Sequence, residues 1–204
     1  MENIKINNHK ELEFEAKKHV YKLNGFVIPS VTTIMKPLSA YCYRGVDEES
    51  LRRAADRGMT IHEAVENYLL FGVEDIPQEY EGYFQGFKKW IDERQPIVLA
   101  TEHRLYHKFL MYAGTADLLC LIDGIPTVVD YKTTSTLYPM LTRVQTEAYV
   151  QALNSHGMNF RRKIIVQGKK DGTFHEEEHS AIDGESWKVF TELLDVYRYI
   201  KNSK

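Results

Sequence analysis

Apolar and polar positions along this chain fall into blocks, and the period within each block predicts an element. "HVYKLNGFVIPSVTTIM", residues 19–35, reads as a hairpin around Asn24-Gly25, then a turn at Pro29-Ser30 into a short helix capped by Ser30. A polar stretch at Asp47–Ser50 precedes a helical pattern over Leu51–Phe71, and a second covers Glu79–Glu93 before Pro96. Strand patterns follow at Ile97–Leu105, Ala113–Ile122 and Ile125–Thr133. A helix over Leu141–Ser155, a strand over Lys163–Gly168, a Lys170-Asp171-Gly172 turn and a helix over Glu185–Ile200 complete the chain. This order predicts an α/β fold with a mixed central β-sheet flanked by helices.

Three polar residues break the pattern. Asp123-Gly124 is a two-residue hairpin signal, and pairing outward from it places Asp117 directly opposite Asp130. Opposed side chains lie about 5 Å apart at Cβ, and two carboxylates there would repel by roughly 3 kcal/mol at an effective dielectric near 20. Lys132, two residues on, points to the same face. A salt bridge at a half-exposed edge is one reading. The flanking apolar runs favour another: burial, where excess negative charge needs a cation and two convergent oxygens suit Mg²⁺ or Mn²⁺.

In the first long helix, Leu51, Ala55, Gly58, His62, Glu66 and Leu69 share one stripe, which predicts that they face inward. Gly58 costs helix stability, so close backbone packing is its expected motive. His62 and Glu66 either hydrogen-bond each other or join the site. Arg53 and Arg57 point outward. Gln145 and Tyr149, one helical turn apart, form a third and weaker pointer.

Net charge changes the picture little. At −3, with a pI near 6.2, the chain does not advertise a nucleic-acid binder, although carboxylates that hold metal would give the same balance. Cys42 and Cys120 are the only cysteines and are expected as two buried thiols in a reducing compartment. No apolar run is long enough to span a membrane and no signal segment is evident, so the expected location is cytoplasmic. "HEEEH", residues 175–179, spells a zinc-protease motif, but that motif works on a helix. On a strand its histidines stand about 13 Å apart. His103 and His107 flank a turn and read as surface residues.

Taken in series, Gly58-x-x-x-His62-x-x-x-Glu66, Gly114-Thr115-Ala116-Asp117, Asp130-Tyr131-Lys132 and Gln145-x-x-x-Tyr149 resemble the motifs of the PD-(D/E)XK nuclease superfamily, in its RecB-like and lambda-exonuclease-like branch. The segment "YKLNGFVIPSVTTIM" is similar to the opening of phage and mitochondrial exonucleases of this type. The resemblance implies a single restriction-endonuclease-like domain over 1–204. Residues 1–50 would form the hairpin and opening segment, 51–170 the catalytic core, and 171–204 the C-terminal turn and helix.

It also implies a DNA exonuclease using Mg²⁺, with Mn²⁺ as substitute, in phage or other recombination and repair processing. His62, Asp117, Asp130 and the Tyr131 carbonyl would hold the metal. Lys132 would orient or activate water or stabilise the phosphate, and Gln145 and Tyr149 would place water or strand. Glu66 would support His62 or a second ion, with Glu102 an outer candidate. Two cysteines cannot build the four-cysteine iron–sulfur cluster of some relatives.

DNA is the expected partner. Ser30, Lys36, Arg44, Arg143, Arg161 and Lys163 are candidates for its backbone, and Tyr41 or Tyr43 for stacking. A single-strand annealing protein or other recombination factor and a homo-oligomer are further candidate partners. If the protein is phage-encoded, the expected compartment is the host cytoplasm. An endonuclease, or a non-cutting DNA binder, shares these residues.

Overall fold

The structure, a computed structural model, describes residues 5–180 and 182–203. Strands β1 (Leu12–Glu15), β2 (Val20–Leu23) and β3 (Phe26–Ile28) form a small antiparallel sheet. Short helices α1 (Val31–Ile34) and α2 (Lys36–Cys42) lead into the long α3 (Glu48–Phe71) and α4 (Glu81–Arg94). Then come β4 (Ile97–Tyr106), β5 (Ala113–Ile122), β6 (Ile125–Lys132), α5 (Pro139–Asn154), β7 (Arg162–Gly168), β8 (Phe174–His179) and α6 (Gly184–Asn202).

The main sheet has the order β4-β5-β6-β7-β8, antiparallel except for the parallel β6–β7 pair, which α5 connects. It is the mixed, helix-flanked sheet the sequence predicts. β1, α2 and β8 lie beyond that reading. β8 shows no apolar alternation because it is an edge strand, where charged side chains blunt unwanted pairing. The "HEEEH" run therefore sits on a strand.

Helices α3 and α4 cover one face, burying Ile61, Phe84 and Trp90 against Leu118 and Val129. Helices α1, α5 and α6 cover the other, packing Val31, Tyr149 and Phe190 against Leu119 and Val128. The turn at Asp123 and Gly124 has φ of 53° and 76°, the left-handed pair of a type I′ hairpin.

The α3 stripe is corrected. Ile61, Ala64 and Val65 are its buried residues, while Leu51 and Ala55 are exposed and Gly58, His62 and Glu66 are half-buried at the border. The helix's first turns have no layer above them to bury a stripe. A Cβ on Gly58 would find only Thr133 Oγ1, at 4.0 Å, so no close packing demands glycine there.

The histidine expectation is overturned too. His103 and His107 are buried. The N-terminal segment lies over β4 through Ile6 N–H to the Leu99 carbonyl, bringing His9 beside His103, and His107 Nδ1 accepts from Phe109 and Leu110. Burial, with His9 and His156 nearby, pushes the His103 pKa down to about 4. Of the thiols only Cys120 is buried, its pKa pushed up to about 12 by burial, while Cys42 is half-buried.

Asp183 caps α6, accepting from Ser186, and also takes a bidentate bond from Arg143 at 2.9 Å on each arm. Burial would raise its pKa, but Arg143 and Ser186 outweigh this and hold the carboxyl well below the usual range. Its stabilisation is complete above about pH 4, the unfolded value, and is lost as pH falls further. Asp183→Ala is expected to cost about 2 kcal/mol. Urea midpoints should show that deficit at pH 7, narrowing below pH 4.

Candidate metal and catalytic site

The register from the hairpin is the expected one, running from Ile122↔Ile125 to Leu118↔Val129. The ladder then stops one pair short of Asp117 and Asp130. Instead the Asp117 side chain accepts from Tyr131 N–H at 2.6 Å. The two strands fork here, and a carboxylate fills the fork. β6 keeps its other neighbour, Asp130 pairing with Ile165 of β7.

Three further elements reach the fork. His62, from α3, donates through Nε2 to the Tyr131 carbonyl at 3.2 Å. Its Nδ1 then faces Asp117 at 3.6 Å and Glu102 at 3.7 Å. A backbone acceptor on Nε2 orients the ring, so that Nδ1 is the nitrogen turned toward the carboxylates. Glu102 belongs to β4, between the pairs Thr101↔Leu118 and His103↔Ala116, and has a φ of 42°. A non-glycine residue in the left-handed region within a strand stores strain, a feature that clusters at functional sites. The ligand atoms of His62, Glu102 and Asp117 all lie within 4.8 Å of one another. Glu102 thus stands nearer the centre than the sequence placed it. The Tyr131 carbonyl is already engaged by His62.

From the far side comes a relay. Lys132 Nζ lies 2.5 Å from Asp130 Oδ2 and donates to Gln145 Oε1 at 3.3 Å. Gln145 in turn donates to the Tyr149 hydroxyl at 3.0 Å. Gly114 makes room for this relay, since a Cβ there would meet the Tyr149 ring at 2.7 Å. Glu66 stands apart, accepting from Thr101 at 2.8 Å.

Charge explains the balance. Burial pushes both Asp117 and Asp130 above the usual carboxylate range, with His62 opposing at the first and Lys132 at the second. Burial alone would lower His62, but Asp117 and Glu102 outweigh it and raise its pKa to about 9. Three carboxylates face one lysine and one histidine. Asp130 Oδ2 is sealed from water with no aligned hydrogen-bond donor. This surplus of oxygen donors, with one imidazole nitrogen, fits a hard divalent cation.

An expectation follows for Glu102. Glu102→Gly relieves the left-handed strain, so the metal-free protein should match or exceed wild-type stability. Both it and Glu102→Gln should bind Mn²⁺ about tenfold more weakly by calorimetry. A destabilised glycine variant with intact affinity would make Glu102 purely structural.

The DNA candidates separate. Arg44 is exposed, its guanidinium 4.7 Å from the Tyr41 ring centroid, and Lys36 and Arg161 are also exposed. Ser30 is buried, capping α1 by accepting from Thr33 N–H and bonding the Thr32 and Thr33 hydroxyls, so its oxygen is already committed. Arg143 is committed to Asp183. Lys163 is fully buried against Glu147 and cannot reach a phosphate. Arg57, expected to face solvent, instead reaches across to the Thr133 carbonyl at 3.1 Å.

No family model matches the chain, and no curated protein matches it. Among solved structures, an alkaline exonuclease (LHK-Exo) from Laribacter hongkongensis is 13% identical with a TM-score of 0.36, covering 71% of this chain and 84% of its own. LHK-Exo in complex with dAMP is 12% identical with a TM-score of 0.42, covering 86% and 88%. Among the described residues no helix is long and apolar enough to cross a membrane.

Proposed function

We propose that this chain is a divalent-metal-dependent DNA nuclease of the PD-(D/E)XK kind, a single domain over 1–204 acting on DNA ends. The observation that carries the reading is the fork. Asp117, Asp130 and Lys132 converge where β5 and β6 part, with His62 and Glu102 on one side and Gln145 on the other. A lysine held beside a buried acid, a half-buried acid and a histidine exceeds what packing needs.

In this reading His62 Nδ1, Asp117 and Glu102 would hold Mg²⁺ or Mn²⁺, with Asp130 completing the set. A bound ion supplies Lewis acidity, drawing charge from water and phosphate at neutral pH. The chain's own groups do the rest. Lys132, oriented by Gln145 and kept cationic by Asp130 and Asp117, presents its ammonium to the phosphate oxygens as negative charge builds. Tyr149 holds Gln145 in place, and Glu66, through Thr101, steadies β4 beside Glu102. Arg44, Lys36 and Arg161 remain as phosphate contacts, with DNA as partner. The role in phage or recombination processing rests on the motif resemblance.

The test is digestion of end-labelled linear and closed-circular DNA with Mg²⁺, Mn²⁺ or EDTA. Metal-dependent loss of linear DNA with circles spared is the expected result. Cutting of circles would move the reading to endonuclease, and no cutting at all would leave a binding protein.

A further inference from the structure

Strand β4 is an edge of the main sheet, and two irregularities interrupt it close together. At Leu99 the register with β5 slips, from Val98↔Cys120 to Ala100↔Leu119, so that one residue bulges from the ladder. At Glu102 the backbone is left-handed, with a φ of 42°. The flanking pairs Thr101↔Leu118 and His103↔Ala116 leave Glu102 opposite Asp117 but outside the ladder. A glutamate in that conformation persists only where its surroundings over-determine it. An edge strand has a neighbouring strand on one side only, so something else must hold the other.

The N-terminal segment supplies that other side. Residues 5–11, ahead of β1, run along the free edge of β4. Ile6 N–H donates to the Leu99 carbonyl at 3.0 Å, pairing a backbone group of the bulge that β5 does not take. Arg104 N–H, two residues beyond Glu102, donates to Asn8 Oδ1 at 2.7 Å. These two bonds bracket Glu102 on the side away from β5. The segment is itself well anchored. Ile6 packs on the α5–α6 core, and the His9 ring lies 4.2 Å from that of His156 and meets Tyr106 edge to face at 5.0 Å. Glu11 accepts from the Tyr106 hydroxyl at 2.9 Å.

We infer that this segment is a strap that sets a metal ligand: by fastening β4 at Leu99 and Arg104, it keeps Glu102 left-handed and its carboxylate beside His62 Nδ1 and Asp117. Asn8 is then a positioning residue, acting through Glu102 from outside the site. The inference rests on the nuclease reading in taking Glu102 as a ligand, and deepens it by naming what aims that ligand. Asn8 is exposed, and one exposed hydrogen bond contributes little to global stability. A group that orients a metal ligand is worth about 10- to 100-fold in affinity. Loosening the strap should therefore appear in metal binding before it appears in stability.

The test is Mn²⁺ titration calorimetry, with urea midpoints on the same samples. It would compare wild type, Asn8→Ala, Asn8→Asp and Ile6→Pro/Asn8→Ala, each also in a Glu102→Gln background. Proline removes the Ile6 N–H, so the double variant lacks both bonds to β4. Asn8→Ala should bind Mn²⁺ about threefold more weakly and the double variant about tenfold, matching the loss of Glu102 itself. Asn8→Asp keeps an acceptor for Arg104 N–H and should stay within about twofold of wild type. In the Glu102→Gln background the strap variants should lose nothing further.

Wild-type affinity in the folded double variant would overturn the strap. So would an equal loss with and without Glu102, because the segment would then act on the fold at large. If the proline variant does not fold, Asn8→Ala and Asn8→Asp decide: both at wild-type affinity, or both equally weak, overturns the role of Asn8. Metal-dependent digestion of linear DNA, run in parallel, decides the nuclease reading on its own. Digestion with strap-insensitive Mn²⁺ binding sinks the strap alone, whereas a wild type that neither binds Mn²⁺ nor cuts sinks the two together.

Discussion

Lys132→Ala is expected to abolish metal-dependent cleavage, by about 10²- to 10⁴-fold in rate, and also to destabilise the protein. The two losses have different origins. Catalysis loses the ammonium that Gln145 aims at the site. Stability suffers because Asp130 is buried and Lys132 is its neutralising partner at 2.5 Å. Stranding a buried carboxylate costs about 3 kcal/mol or more, which lowers the melting temperature by roughly 6–12 °C in a chain of this size. Adding Asp130→Asn to the alanine variant should recover most of that stability and none of the activity. Mg²⁺ should raise the melting temperature of Lys132→Ala more than that of wild type, since a cation would take over the neutralising role. Unchanged stability in Lys132→Ala would mean that Asp130 is not held as an ion.

That pair shows how much a sequence can say about a site. Asp117, Asp130 and Lys132 were legible because strand alternation and a two-residue turn determine faces and register. The register did follow from Asp123-Gly124. What the pattern could not show was the fork, because a side chain replacing a ladder bond leaves no trace in hydrophobic periodicity. The place of Glu102 is hidden for the same reason. Its approach depends on a left-handed backbone at one strand position, and glutamate carries no signal for that. On α3 the 3.6-residue period predicts the helix, but the buried side is Ile61, Ala64 and Val65 and not the stripe through Gly58, His62 and Glu66. The apolar signal of Ile61, Ala64 and Val65 is short, and the polar first turns face a groove.

Basic residues were the least legible. A lysine in a strand next to two arginines reads as surface charge, yet Lys163 is the most deeply buried cation among the described residues. Arg143 and Arg57 likewise found acceptors inside the fold. Long aliphatic stems carry charge to partners far away in sequence, and no local pattern records the partner.

Lys163 carries the second large expectation. Its ammonium meets Glu147 of α5 in a contact sealed from water, and Glu147 also accepts from Gln151 at 2.8 Å. Breaking a buried pair from one side leaves an uncompensated charge, so Lys163→Met should cost about 3–5 kcal/mol. The same rule makes the double change different. Lys163→Met with Glu147→Leu removes both desolvation penalties and fills the space with apolar volume, so it should be neutral or gain about 1 kcal/mol or more. Urea titration of wild type, both single variants and the double variant yields the coupling energy directly. Glu147 lies between Gln145 and Tyr149 on α5, and the pair ties that helix to β7. A double variant that is stable yet slow would mean the ion pair sets the angle at which α5 presents Gln145 to Lys132. One that is stable and fully active would reduce it to a replaceable core contact.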